Sequence, residues 1–224
     1  MTIVNALLDV VLPRHCLECG FWIRNEKTPM LWCPICRMHW PDLRGSIGRI
    51  LMQERVAMDW GQVGFRLREA EFLEEQVRRF KYQGDYWLAW HWGRWLALGC
   101  EAIPQPKARL VLVPIPLHWR RKCSRGYNQS EGLARGIASV WNLPVDSHLL
   151  KRTKSGASLT GLSRSEREKK LEKTYVLSKG KPESPRCVIL VDDVLTTGTT
   201  IGMCAEALKG SGYHAIGAMA LALA

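Results

Sequence analysis

No run of about eighteen apolar residues occurs in the sequence, so no membrane-crossing helix is expected. The opening segment, Met1 to Pro13, is apolar but lacks a basic start and a small-residue cleavage site, and it carries Asp9. A secretory leader is therefore not expected, and the expected location is the cytoplasm. No helix-turn-helix pattern stands out, which counts against a transcriptional regulator. Acidic residues are scarce in one region. Residues 105–181 hold seventeen of the 32 Lys and Arg but five of the 21 Asp and Glu, so all the excess behind the net charge of +11 lies there. Such a bias favours a polyanionic partner, either a pyrophosphate-bearing ligand or nucleic acid. The 224 residues suffice for one domain of ordinary size and a small appendage.

The most informative stretch is Val188 to Thr200. Four apolar residues, Val188 to Val191, read as a buried strand that runs into Asp192 and Asp193 and then a hydroxyl-rich turn. Ile201, Cys204, Ala205 and Leu208 follow at helical spacing. A strand–loop–helix gathers backbone N–H groups and the positive end of a helix dipole around one small volume. Thr196, Thr197, Thr199 and Thr200 add hydroxyls, and Gly198 is expected to let the backbone approach a ligand. Ionised carboxylates only accept hydrogen bonds. A sugar phosphate suits this pattern: the monoester in the loop from Leu195 to Thr200, the sugar hydroxyls on Asp192 and Asp193. The run resembles the phosphoribosyl pyrophosphate (PRPP) signature of type I phosphoribosyltransferases.

Near the start, Cys16-x2-Cys19 and Cys33-x2-Cys36 are separated by thirteen residues. Without an export signal, two such pairs read as a tetrahedral zinc site rather than disulfides. Four thiolates close a structural site, which leaves His15 and His39 as bystanders. Cys100, Cys123, Cys187 and Cys204 are scattered and are expected to be small buried hydrophobes.

Between these landmarks, Ile47 to Val56 reads as amphipathic. Phe72 to Phe80 has helical spacing and is closed by a turn at Lys81 to Asp85. A second helix carries Leu88, Trp92, Trp95 and Leu96 on one stripe. Trp87 and Trp90 fall on another face, where they either pack or stack on single-stranded bases. Pro104 and Pro106 mark a boundary. Leu110 to Val113 reads as a strand, followed by a basic loop holding His118, Arg120, Arg121, Lys122 and Arg125. Asn128 is placed to cap a helix that buries Leu133, Ile137, Val140 and Trp141. A strand end is where open α/β sheets take ligands, so His118, Arg121 and Arg125 are expected to meet a pyrophosphate. Arg120, Lys122, Lys151, Arg152 and Lys154 are candidates for nucleic-acid contacts. Ala215 to Ala224 reads as a closing strand.

Several of these segments together resemble the competence protein ComF (ComFC) family: the four-Cys ribbon, Phe80-Lys81-Tyr82 before Gly84-Asp85, Val113-Pro-Ile-Pro-Leu-His118, Arg125-Gly-Tyr-Asn-Gln129 and Leu162-Ser-Arg-Ser-Glu-Arg167. Leu159 and Lys170 depart from the family's usual Gln and Asn. The resemblance implies an α/β, type I phosphoribosyltransferase-like parallel sheet flanked by helices, with a zinc ribbon and a small hood. The expected divisions are residues 1–42 (ribbon), 43–106 (helical hood and linker) and 107–224 (phosphoribosyltransferase-like), with residues 148–175 as a lid. It further implies PRPP binding with Mg2+, a place in natural transformation, and single-stranded DNA and DNA-translocation proteins as partners. The activity stays open between phosphoribosyl transfer and a non-catalytic adaptor. No dedicated general base is evident, His118 being the best candidate.

Overall fold

The structure, a computed structural model, describes residues 15–23, 31–69, 71–100, 102–117, 123, 125–153, 174–178 and 180–224. The chain divides into two units, residues 1–42 and 43–224. In the first, a turn after Cys16 and a short helix α1 (Pro34–Met38) form around a small core of Trp32 and Trp40, whose rings meet edge-on at 5.4 Å.

In the second unit, β1 (Trp60–Arg66), β2 (Leu110–Pro114), β5 (Arg186–Leu195) and β6 (Tyr213–Leu223) form a parallel sheet in the order β1-β6-β5-β2. A short antiparallel hairpin joins β3 (Leu150–Arg152) to β4 (Tyr175–Leu177). Helix α2 (Ser46–Arg55) precedes β1; parallel strands need crossover segments, and α3 (Glu71–Tyr82), α4 (Tyr86–Leu98), α5 (Gln129–Trp141) and α6 (Thr199–Leu208) lie in them. Buried on both faces, the strands read as continuous apolar runs rather than alternating ones. Val63, Val111, Val113, Val188, Leu190, Ala218 and Ala220 pack with Met52 of α2 and Ile201, Cys204 and Leu208 of α6. Phe65, fully buried, meets Trp92 and Trp95 of α4 at 5.6 and 6.2 Å. That burial contributes about 2–3 kcal/mol.

Helices α4 and α5 nest unusually closely. A Cβ added at Gly136 would lie 2.0 Å from the Trp90 carbonyl oxygen, and one at Gly93 would lie 2.1 Å from that of Leu133. Asn128 caps α5 as expected, accepting from Ser130 N–H at 3.2 Å.

Chain order around β2 creates the feature that positions the site. From β2 the chain passes through α5 to Val145, which makes a parallel bridge to Leu112. It then reaches β5, which pairs with β2 residue for residue from Leu110↔Cys187 to Pro114↔Val191. The two connections leave β2 in opposite directions. The carboxyl ends of β2 and β5 therefore diverge around a crevice, the kind of switch point where α/β sheets bind ligands.

The tail forms a strand as expected, β6, and it lies between β1 and β5. Three expectations need correction. The strand ending at Val191 continues through both aspartates to Leu195, because its ladder with β6 (Asp192↔Ala220, Val194↔Ala222) uses backbone and is indifferent to side-chain charge. The stretch read as a helical hood contributes β1 to the sheet. Cys204 is buried and Cys100 and Cys187 partly so, but Cys123 is exposed.

Candidate functional site

In the first unit, the Sγ atoms of Cys16, Cys19, Cys33 and Cys36 lie within 4.8 Å of one another. Four thiolates about 2.3 Å from one tetrahedral ion sit about 3.8 Å apart. The Cys19 and Cys33 sulfurs are 3.8 Å apart. Backbone N–H groups support them: Cys33 N–H donates to Cys16 Sγ at 3.3 Å and Cys36 N–H to Cys33 Sγ at 3.4 Å. Gly20, at φ +72°, makes the tight turn after Cys19. Burial raises the Cys16 thiol, but backbone hydrogen bonds at Cys19, Cys33 and Glu18 outweigh it and bring it to about 7. Burial and the surrounding thiols push Cys36 up. A divalent cation is what lets all four ionise together, so the donor set fits zinc. The nearby histidines are occupied elsewhere, His15 Nδ1 on the Gly20 carbonyl at 3.0 Å and His39 Nδ1 on that of Ile35 at 2.8 Å.

In the second unit, a cleft of about 170 Å3 opens at the switch point. Its walls include Asp192 and Asp193 of β5, Ile115 to Leu117 after β2, Ser130 of α5, Thr200 of α6, and Arg152 and Tyr175 of the hairpin, with Lys81 and Arg125. Successive strand residues point to opposite faces, so the carboxylates diverge. Asp192 accepts from Ser130 Oγ at 3.1 Å and from Asp193 N–H at 2.9 Å. Asp193 pairs with Lys81 Nζ at 3.2 Å and accepts from Val194 N–H at 2.7 Å. Burial, then the adjacent Asp193 charge, push the Asp192 carboxyl up to about 7. Asp193 N–H, Ser130 and Lys81 pull the other way. With three cations against a half-neutralised acid pair, the cleft favours an anion.

Relatives share this sequence over most of its length. No family model matches. Competence protein F of Haemophilus influenzae is 32% identical over 181 residues, covering 79% of this chain and 78% of that protein. DNA utilization protein YhgH of Escherichia coli is 33% identical over 206 residues, 90% of this chain and 86% of that protein. The chain belongs to the competence protein F family. Competence protein ComFC of Bacillus subtilis is a more distant member, 27% identical over 145 residues, 65% of this chain and 57% of that protein.

Two segments by which the chain resembles the ComF family prove to be in contact. Tyr127 OH donates to the Phe80 carbonyl, and Gln129 Nε2 to that of Lys81 at 3.5 Å. Arg125 donates to Gln129 Oε1 at 3.2 Å, and its guanidinium lies 5.0 Å from the Tyr82 ring centre. Asn128 ties the same loop to the end of β2 by donating to the Ile115 carbonyl at 3.0 Å. This lattice delivers Lys81 to Asp193.

Of the residues expected in the site, Asp192, Asp193, Thr200, Arg125 and Arg152 line the cleft. Lys151 lines an adjoining cavity of about 400 Å3 that shares Pro116, Leu117 and Arg152 with it. Leu195 is core, supporting the loop from below. Thr196, Thr197 and Thr199 are exposed beside the cleft, with the hydroxyls of Thr197 and Thr199 2.8 Å apart. Gly198 has φ +78°, and a Cβ there would lie 2.4 Å from the Arg55 carbonyl oxygen, so its missing side chain lets the loop seat on the end of α2. His118, Arg120, Arg121, Lys122, Lys154, Leu159 and Lys170 lie outside the described residues. Sequence reasoning missed Lys81, Ser130 and Tyr175. The larger cavity of about 560 Å3, bordered by Val111, Arg186 and Tyr213, sits at the strand starts, the end that parallel sheets do not use for ligands. Among the described residues no helix is long and apolar enough to cross a membrane.

Proposed function

We propose that the chain binds PRPP or a related sugar phosphate in the cleft at the ends of β2 and β5, and acts in the uptake or use of DNA named for its relatives. The observation that carries this reading is one small volume holding two carboxylate acceptors, three cations and the amino end of α6. In it the 5′-phosphate sits against Leu195 to Thr200, where α6 begins and its dipole favours an anion. The ribose hydroxyls donate to Asp192 and Asp193. The pyrophosphate extends past Lys81, Arg125 and Arg152 toward the adjoining cavity and Lys151, with Arg121 and His118, close to Arg125 in sequence, as further partners. Mg2+, which prefers oxygen ligands and keeps several waters, would be held by the pyrophosphate together with Asp192 or Asp193 and would offset the charge of the leaving group.

Transfer then breaks the bond from C1 of the ribose to pyrophosphate, whose oxygen keeps the electron pair. A lone pair of a base or nucleotide-like acceptor forms the new bond, and its proton passes to solvent. Acid groups beside C1 stabilise the cationic centre, as in glycoside cleavage. Titration calorimetry with PRPP and Mg2+ tests the binding, and pyrophosphate release over a panel of bases, nucleotides and short DNA tests the chemistry. No heat with PRPP at millimolar concentration removes the assignment.

One observation favours an adaptor that binds without turnover. The described lining of the cleft contains no histidine and Asp193 is already engaged by Lys81, which leaves Asp192 as the one candidate base among the described residues. PRPP binding with silence across the acceptor panel selects that reading. The zinc cluster serves either one as a folding staple or docking platform for translocation proteins. The basic residues Arg120, Lys122, Lys151, Arg152 and Lys154 supply phosphate contacts for single-stranded DNA, whose affinity then falls steeply with salt.

A further inference from the structure

Helix α4 carries more large aromatic rings than its core face uses. Leu88, Trp92, Trp95 and Leu96 fill the interior. Tyr86, Trp87, Trp90 and Arg94, at spacings of three and four, share another face. There Trp87 is 67% exposed, and Tyr82 at the end of α3 is 70% exposed. The rings form a continuous chain. Tyr127 meets Tyr86 at 5.5 Å, Tyr86 meets Trp87 at 6.2 Å and Trp87 meets Trp90 at 5.8 Å, all edge to face. Cations interleave with them: Arg94 lies 4.9 Å from the Trp90 ring centre and Arg125 5.0 Å from that of Tyr82. The exposure of Trp87 and Tyr82 leaves ring surface open to solvent at both, beside the partly exposed Tyr86 and Trp90.

The track starts at the mouth of the cleft, because Lys81 and Arg125 line the cleft while Tyr82 stands outside it. From Tyr86 to Arg94 it runs about 12 Å along the helix. That is room for about two or three bases, the number a ring platform of this kind holds. Burying such rings favours an occupant with flat π-faces, and the guanidinium groups among them favour an anion. A single-stranded nucleic acid has both. Duplex ends and apolar peptides each lack one of the two along such a line.

We propose that Tyr82, Tyr86, Trp87 and Trp90, flanked by Arg94 and Arg125, form a stacking platform for single-stranded nucleic acid. It shares Arg125 with the cleft, but its rings do not line the cleft, so it stands whether or not the cleft takes a sugar phosphate. Stacking gives the platform tolerance of sequence, since every base presents a π-face.

The test uses the full chain and a short labelled oligothymidylate, followed by fluorescence anisotropy across a salt series. Trp87→Ala is expected to weaken binding about 5- to 150-fold at every salt concentration, the range for loss of one base–ring stack. The slope of log K against log salt stays unchanged, because no phosphate contact is lost. Trp87→Phe keeps affinity within about threefold, and Arg94→Gln lowers the slope by about 0.7. The exposure of Trp87 leaves the fold indifferent to its loss, which the melting temperature checks. Four results overturn the proposal: no binding by the parent protein at low salt, affinity within about twofold for Trp87→Ala, duplex bound as tightly as single strand, or complete displacement by vesicles of anionic phospholipid. Calorimetry of PRPP with Trp87→Ala runs in parallel and is expected to match the parent, so the cleft reading is scored separately.

Discussion

Replacing Asp192 by asparagine is expected to make the protein more stable at neutral and alkaline pH while abolishing sugar-phosphate binding. The carboxyl is packed beside Asp193 and bonded to Ser130, and its affinity for a proton rises from the ordinary 3.8 to about 7. Between those values the folded state binds more protons at this group than the unfolded state does. Stability from this source is therefore full below about pH 4, falls as pH rises toward about 7, and stays low above it. Taken whole, the interval corresponds to about 4 kcal/mol. The side chain is not sealed from water, and its pairing with Asp193 divides the effect, so about 1–3 kcal/mol at pH 8 is the working figure. Asparagine keeps an oxygen for Ser130 Oγ and Asp193 N–H but carries no charge. At about 2–4 °C per kcal/mol for a chain of this length, its melting temperature should exceed the parent's by about 2–12 °C near pH 8. The gap should shrink to about two-fifths of that near pH 5 and close only below about pH 4. Thermal scans of both proteins from pH 5 to 8 decide the matter, since the cysteine cluster and every other titrating group cancel in the difference. A gap that is absent at pH 8, or equal at both ends, refutes the claim that desolvation of Asp192 is stored in the fold.

Other expectations are shorter. Lys81→Met leaves Asp193 without its cation and should weaken PRPP or ribose 5-phosphate binding about tenfold or more, read by calorimetry, as loss of a partly buried charge partner does. Metal analysis of freshly reduced protein should find about one zinc per chain, and Cys33→Ser should lower that content and the melting temperature together. Gly136→Ala forces a methyl to within 2.0 Å of the Trp90 carbonyl oxygen, so α4 and α5 must part; about 1–3 kcal/mol of stability should go, visible in denaturant midpoints.

What the sequence made legible follows from how local each feature is. The paired cysteines, the Asn128 cap and the run from Val188 to Thr200 state their roles within a few residues of themselves, and the structure bears out a cysteine cluster, a capped helix and a strand–loop–helix. Strand β1 is the opposite case. Trp60-Gly-Gln-Val-Gly-Phe-Arg66 contains two glycines and a glutamine, poor strand formers, because its neighbours press close: a Cβ at Gly61 would meet Met52 at 2.1 Å, and one at Gly64 the Leu221 carbonyl oxygen at 2.6 Å. Its partner β6 lies some hundred and fifty residues away, so no local pattern announces it. Lys81 reads as a turn residue for the same reason. Only the closed sheet brings it to Asp193.

That last contact changes how the two aspartates are to be understood. A lysine on a flexible stem cannot by itself hold an exact place, yet here its backbone carbonyl and that of Phe80 accept from Gln129 and Tyr127. The segment 80–82 is thus fixed by the loop that carries Arg125, and the same loop is fixed by Asn128 to the end of β2. A guest entering the cleft meets a lysine and an arginine held in register by the same hydrogen bonds, and an aspartate whose charge is already balanced. Because Asp193 is paired and Asp192 holds its proton near neutral pH, the vacant cleft carries little unbalanced negative charge to repel a phosphate. A sugar bearing hydroxyls can then exchange for the Lys81 contact on Asp193 while its phosphate recruits the released ammonium. On this argument, loss of Tyr127's hydroxyl, which touches no ligand, should weaken binding in step with Lys81→Met, whereas phenylalanine there leaving affinity intact would show that the lysine needs no such support.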